Sequence, residues 1–258
     1  MQTTEGLIIR TVDFSETSRI ITAYTRQYGK IEALAKGGRQ LKGPFESSLD
    51  ILARNSLTYI HKRGEVLDLL TESKLIRRFR VVMSNLAGTF GAHYIAELLN
   101  AFTELDDAQP PVYDLAVKVL RSLEKGTFVM RTLLRFEGRF LQLLGLFPSL
   151  RNCVECNRSI ERTPQHRLVF GHLAGGVLCQ KCFNTQLHTV SITSKTLNAL
   201  EQLTDSLDRN ENWKHFALDR NTSGELRGLM NQYISHRLGW RPRSHDWLRL
   251  IADLDNTR

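Results

Sequence analysis

The sequence predicts an α+β chain of two unlike parts. Three observations predict it: β-rich runs cut by turn residues through the first eighty positions, helical apolar spacing beyond them, and two Cys-x-x-C pairs set within the helical part. The chain has 258 residues, is 41% hydrophobic and carries a formal net charge of +8. Such an apolar fraction is that of a folded protein and excludes a largely disordered one. No apolar run approaches the length that spans a bilayer, and Met1-Gln2-Thr3-Thr4-Glu5 lacks the basic-then-apolar order of a secretory signal. A cytoplasmic protein with no membrane partner is the expectation.

Five strands are expected first: Gly6–Val12, Arg19–Thr25, Lys30–Ala35, Asp50–Ile60 and Val66–Thr71. Ser15-Glu16, Gly29, Gly37-Gly38, Gly43-Pro44 and Gly64 separate them as turns. Five short strands are enough to close a small barrel, either of the oligonucleotide-binding (OB) type or SH3-like. Charge favours the first, because residues 1–80 hold fourteen basic against nine acidic side chains. That net +5 is more than half of the total and implies a polyanionic partner.

Helical spacing then predicts a first helix over Phe79–Glu104, a second over Val112–Lys125 opened by Pro110-Pro111, and a third over Phe128–Leu146 stopped at Pro148. Leu133, Phe136, Phe140 and Leu144 form the apolar stripe of the third. After the cysteine block come helices over Thr193–Leu207, Ser223–Arg237 (stopped by Gly239 and Pro242) and Asp246–Leu254. The resulting partition is 1–78 barrel, 79–150 helical, 151–190 four-cysteine module and 191–258 helical.

Cys153-Val154-Glu155-Cys156 and Cys179-Gln180-Lys181-Cys182 stand twenty-two residues apart, close to the two-knuckle spacing that aims four thiolates at one tetrahedral ion. One structural Zn2+ per chain is expected. Four sulfurs close the coordination sphere and leave no place for an activated water, so zinc catalysis is not expected. His166 and His172 lie between the knuckles as alternative ligands that four thiols make unnecessary. Redox-active dithiols would suit a thioredoxin-like βαβ context, which the pattern lacks.

Lys36-Gly37-Gly38-Arg39-Gln40-Leu41-Lys42-Gly43-Pro44 sets three cations among three glycines after the third strand. Glycine lets a backbone approach phosphate closely while Lys and Arg neutralise it, although the same residues also make an ordinary solvated hairpin. Neither a G-x-x-x-x-G-K-[ST] nor a G-x-G-x-x-G pattern occurs, which argues against a nucleotide-binding loop. Tyr24, Tyr28 and Tyr59 are candidates to stack on bases or, equally, to pack the barrel. Metal-dependent nuclease chemistry would need a carboxylate cluster; Asp106-Asp107 and the pair Asp253 and Asp255 read as solubilising acids, and no enzyme is expected.

In their order, these features resemble the RecO family of bacterial recombination mediators. The motifs that carry the resemblance are Glu5-Gly6-Leu7-Ile8, Lys36-Gly37-Gly38-Arg39, Leu134-Arg135-Phe136-Glu137, Leu143-Leu144-Gly145-Leu146 and the knuckles that follow. The resemblance implies an OB domain that binds single- and double-stranded DNA and anneals complementary strands without ATP. It also implies work with RecR to load RecA onto strands coated by single-stranded DNA-binding protein (SSB), whose acidic tail is engaged directly. Leu238-Gly239-Trp240-Arg241-Pro242-Arg243-Ser244 departs from the family's Gly-Arg-x-Leu-Lys/Arg-Ser run, so Arg241 and Arg243 take no role here.

On this reading Lys36, Arg39 and Lys42 lead the phosphate contacts, with Arg10, Arg26, Lys30 and Lys62 beside them. Arg131, Arg135 and Arg139, spaced by four on one helix face, suit an acidic tail that ends in an apolar residue, or else form a solvated basic stripe partly paired with Glu137 or other acids. The competing function is a zinc-stapled protein-interaction scaffold with no direct role on DNA.

Overall fold

In a computed structural model of the chain, residues 1–40, 43–45, 48–62, 64, 67–79, 85–163, 167–205, 213, 216 and 218–256 are described. Strands β1 (Gln2–Asp13), β2 (Arg19–Thr25), β3 (Gly29–Ala35), β4 (Ala53–Ile60) and β5 (Asp68–Arg78) close a barrel in the order β1-β2-β3-β5-β4. Four of the pairings are antiparallel, β1 with β2 and with β4, β2 with β3, and β4 with β5; the parallel pairing of β3 with β5, from Ala33↔Asp68 to Ala35↔Leu70, completes the ring. This is the expected five-stranded, OB-like barrel. Period-two alternation drives it, with Ile8, Ile21, Ala23, Ile31, Ala33, Leu57 and Leu70 all turned into one core.

The strand β5 runs seven residues beyond its expected end at Thr71, carrying exposed Leu75 and Ile76. The first helix, α1 (Leu86–Phe102), accordingly starts later than Phe79, with the Asn85 side chain accepting from the Gly88 N–H as its cap. Residues 80–84 lie outside the described ones. α2 (Pro110–Leu123) opens on its prolines, and α3 (Val129–Leu143) ends where Gly145 takes a left-handed φ of +69°, ahead of Pro148.

The cysteine region brings a three-stranded sheet that no sequence signal announced: β6 (Arg167–Gly171), β7 (Gly176–Leu178) and β8 (Thr189–Thr193), in the order β7-β6-β8. Helices α4 (Ser194–Thr204), α5 (Arg220–Leu238) and α6 (His245–Asn256) follow. Asp219 caps α5, whose first residue Arg220 lies three residues before the expected start at Ser223, and Gly239 closes it as expected. Among the described residues, no helix is long and apolar enough to cross a membrane.

The chain forms two compact units, Met1–Val129 with Asp246–Arg258, and Met130–His245. In the first unit the barrel is tied to α1 and α2 by polar contacts. Arg26 makes a two-pronged ion pair with Asp114 at 3.0 Å, and the Lys30 Nζ donates to the Asn100 carbonyl at 2.9 Å. The second unit is organised around a buried pair in which the Arg227 guanidinium donates to both carboxylate oxygens of Glu137 at 2.7 and 2.8 Å. Phe136 and Phe140 stack beside it with centroids 5.3 Å apart.

Candidate metal centre and nucleic-acid interface

The four sulfurs converge. Turns deliver them: the Asn157 N–H donates to the Cys153 carbonyl at 2.9 Å with Asn157 in the left-handed region, and the Cys182 and Phe183 N–H groups donate to the Cys179 carbonyl at 3.0 and 3.1 Å. The first knuckle is laid against β7 by the Val154 N–H, which donates to the Val177 carbonyl at 3.0 Å. Gly176 permits that approach, since a Cβ there would stand 2.3 Å from the Ser149 carbonyl oxygen.

The Sγ atoms of Cys153, Cys156, Cys179 and Cys182 lie within 4.8 Å of one another, with Cys156 and Cys179 at 3.7 Å. A tetrahedral ion with metal–sulfur bonds of about 2.3 Å sets its sulfurs about 3.8 Å apart, so the spacing fits. The electrostatics fit as well. Burial works to raise the Cys153 thiol, but N–H groups of Cys156, Cys179 and Glu155 aimed at its sulfur bring it down to about 6. Cys182 is pushed upward, first by its contact with Cys179 and then by burial, because four crowded sulfurs resist losing every proton until a cation joins them. The four cysteines are therefore able to hold a metal ion, and they are the only such group among the described residues. His172 takes no part; its ring is buried and stacks on His236 at 5.4 Å. His166 lies outside the described residues.

The barrel cations divide between its two ends. Arg26 and Lys30 flank the β2–β3 turn and are taken up by Asp114 and Asn100. Burial lowers the Lys30 ammonium, while the Asp114 hydrogen bond raises the Arg26 guanidinium. At the other end Lys36 is exposed just past β3, and Arg10 is exposed on the outward face of β1 opposite Thr22. Neither makes an ion pair among the described residues.

Arg39 is exposed, yet its guanidinium donates to the Ser15 carbonyl at 2.6 Å and sits 3.4 Å from Asp13, pinning the Gly37-Gly38 loop to the β1–β2 turn. Lys62 is half-buried, with its backbone N–H donating to Asp68 at 3.0 Å. Lys42 lies outside the described residues.

The tyrosines pack rather than stack. Tyr24 and Tyr59 are buried, and Tyr28 meets Tyr59 edge-on at 6.2 Å. Burial, followed by the nearby Asp107, lifts the Tyr24 phenol to about 12. The exposed aromatic of this end is Phe14, 61% accessible at the β1–β2 turn. Sequence reasoning passed over it because it falls in the turn; its signal was a large apolar residue among Asp13, Ser15 and Glu16.

With both sites in view, comparison with known proteins decides the family. The family model described as "Recombination protein O N terminal" matches residues 1–79, and that described as "Recombination protein O C terminal" matches residues 83–246. The chain belongs to the RecO family of DNA repair proteins. The DNA repair protein RecO of Rhodopirellula baltica is 42% identical over 198 residues, covering 77% of this chain and 73% of that protein. Those of Desulfatibacillum aliphaticivorans and Syntrophus aciditrophicus are 31% and 30% identical over 98% and 92% of this chain, and 96% and 90% of their own.

The third group of expected RecO residues lies on α3. Arg131, Arg135 and Arg139 share one half-buried face. Arg135 donates to the Leu203 and Asp205 carbonyls at the end of α4 and covers the Trp213 ring at 5.1 Å, so it caps a helix C-terminus. Arg139 donates to Gln142 at 2.6 Å. Glu137, one of the acids considered as partners for this row, is fully buried and holds Arg227.

Proposed function

We propose that this RecO-family chain binds single- and double-stranded DNA through its barrel and anneals complementary strands without ATP. In cooperation with RecR, it would help load RecA onto SSB-coated strands in the bacterial cytoplasm, at the nucleoid. The observation that carries this reading is the pair Arg10 and Lys36, exposed and without ion pairs among the described residues, on the barrel of a DNA-repair family. Arg39 and Lys62 are the further phosphate contacts proposed, together with Lys42, which lies outside the described residues. Arg26 and Lys30 contribute structure in the first place, given the partners they already hold.

Annealing needs no catalytic side chain. Cations that neutralise phosphates release counterions and lower the repulsion between two strands, so complementary bases meet more often. The four cysteines hold Zn2+ in a closed, structural role, supported by the sulfur spacing and by a donor set that zinc prefers. Arg131 and Arg139 are the residues of α3 proposed to meet the acidic SSB tail, with Arg135 anchoring the face they share.

The test is annealing of complementary oligonucleotides by purified protein with no nucleotide present. Acceleration over the protein-free rate, lost in the double variant Arg10→Gln with Lys36→Gln, is the expected result. No acceleration and no DNA binding at low salt would replace this reading with a protein-interaction scaffold.

A further inference from the structure

Among the described residues, one outward face of the barrel carries a cross-strand row of apolar residues that are exposed or half-buried. Cross-strand register aligns Val12 with Ile20, Ile20 with Leu34, Leu34 with Leu69, and Leu69 with Ile60. Partners in register share a face, and their sequence neighbours Ile21, Ala33, Ala35, Leu70 and Tyr59 fill the core, so this row points out. Val12 and Ile60 are each 40% exposed, and Ile20, Leu34 and Leu69 are half-buried. Further along the same outward face, the row of Leu7, Tyr24 and Lys30 is buried or tied to α1, so among the described residues the Val12 row is the more accessible of the two.

Charge and aromatic character say what fits there. Arg10 precedes Val12 by two and Lys36 follows Leu34 by two, so the row is bracketed by two exposed cations on β1 and just past β3, with Phe14 standing at the turn beyond Val12. Val12 and Leu34 are two strand spacings apart, roughly 10 Å. The face also carries an acid, Glu32, half-buried and accepting from the Thr22 hydroxyl at 3.2 Å. A duplex presents phosphates to such a surface but keeps its base faces stacked inside; a single strand presents both phosphates and unpaired bases.

We infer that the Phe14, Val12, Ile20 and Leu34 surface takes the bases of single-stranded DNA, making the barrel selective for unpaired strands. This rests on the DNA-binding reading above and deepens it, since cations alone would not discriminate strands from duplex. Phe14 supplies the π-face on which a base stacks, the aliphatic row shields a second base, and Arg10 and Lys36 hold the backbone on either side. During annealing, bases that pair must leave this surface, so formation of the duplex gives up the base contacts and leaves only the phosphate contacts that Arg10 and Lys36 make.

The experiment compares Phe14→Ala, Phe14→Trp and Lys36→Gln with the unsubstituted protein, using anisotropy of a fluorescent single strand and of its duplex across a salt series. Phe14 is exposed, so these changes spare the fold. Phe14→Ala is expected to weaken single-strand binding about 5- to 150-fold, the worth of one aromatic–base stack, without changing the salt slope or duplex affinity. Phe14→Trp should restore affinity, with its indole fluorescence quenched on adding the single strand. Lys36→Gln should weaken both DNAs and reduce the slope.

Unchanged single-strand affinity in Phe14→Ala, or equal losses for strand and duplex, would overturn the inference while leaving the DNA-binding reading intact. Absence of any DNA binding by the unsubstituted protein would remove that reading itself. If instead Phe14→Ala leaves DNA binding unaltered and converts a dimer to a monomer in sedimentation, the face belongs to a second copy of the chain, which also overturns the inference.

Discussion

The two units of the chain solve the problem of holding a small core by opposite means. The barrel of the first closes every strand edge and fills its centre with apolar side chains: Ile8, Ile21, Ile31, Leu57 and Leu70 are essentially inaccessible. The second unit also packs apolar residues but buries charge and ionisable groups among them. It contains the buried Glu137–Arg227 pair, four converging thiols of which Cys153 is buried, and the buried His172 ring. Hydrophobic burial is insensitive to pH and to chelators, whereas thiolates, carboxylates and imidazoles answer to both. The first unit should therefore behave as a steady platform and the second as a conditionally stable one.

Removal of the proposed zinc should expose that difference most strongly. Binding of structural zinc by small zinc-finger peptides is worth about 10–16 kcal/mol, far more than most domains have to spare. Chelation, or Cys153→Ser, is expected to abolish amide-exchange protection in β6, β7 and the knuckles while leaving β1 to β5 protected. Equal loss in both units, or none in either, would erase the contrast.

Next comes the buried pair. Arg227→Met leaves the fully buried Glu137 without its partner, which costs about 3–5 kcal/mol, whereas Glu137→Leu combined with Arg227→Met should recover most of that. In the barrel, Ile21→Ala should cost about 2–5 kcal/mol through its cavity alone, by the same amount with and without chelator. Urea unfolding of the three variants distinguishes a charge left unpaired from a hole left unfilled.

A smaller effect concerns pH. Burial first, and then the neighbouring His236, depress the His172 imidazole from 6.5 to about 4. The unfolded chain therefore takes up this proton at higher pH than the folded one. The resulting stability is complete above about pH 6.5 and is lost as pH falls from there towards 4. His172→Phe should flatten that part of the stability–pH curve of the second unit; a curve unchanged by the substitution would assign the acid sensitivity elsewhere.

How much of this was legible beforehand follows the same division. Alternation with glycine turns located all five barrel strands, because period-two burial is written directly into residues such as Ile20-Ile21 and Lys30-Ile31. The knuckle spacing located all four sulfurs, since ligand geometry constrains local sequence tightly. The β6–β8 sheet was not legible: Gly176–Leu178 is three residues long and depends on contacts with Ser149 and Val154 that no local pattern encodes.

Side-chain partners were equally hidden. Arg26, Lys30 and Arg135 look like free cations in the sequence, but Asp114, Asn100 and Leu203, their partners, lie about seventy to ninety positions away. Phe14 went unnoticed for the converse reason, since a turn residue exposed to solvent leaves no periodic trace. The terminator of α3 was placed at Pro148, the stronger breaker, although the left-handed Gly145 ends the helix first.

The proposed role of the barrel stands or falls on one quantity, the salt slope of single-strand binding. For single strands, log K falls with log salt by about 0.7 per phosphate neutralised. The triple variant Arg10→Gln, Lys36→Gln and Lys62→Gln should therefore reduce the slope by about 2 units relative to the unsubstituted protein, with the thermal unfolding of the barrel unchanged. An unchanged slope would contradict the placement of DNA on this face of the barrel.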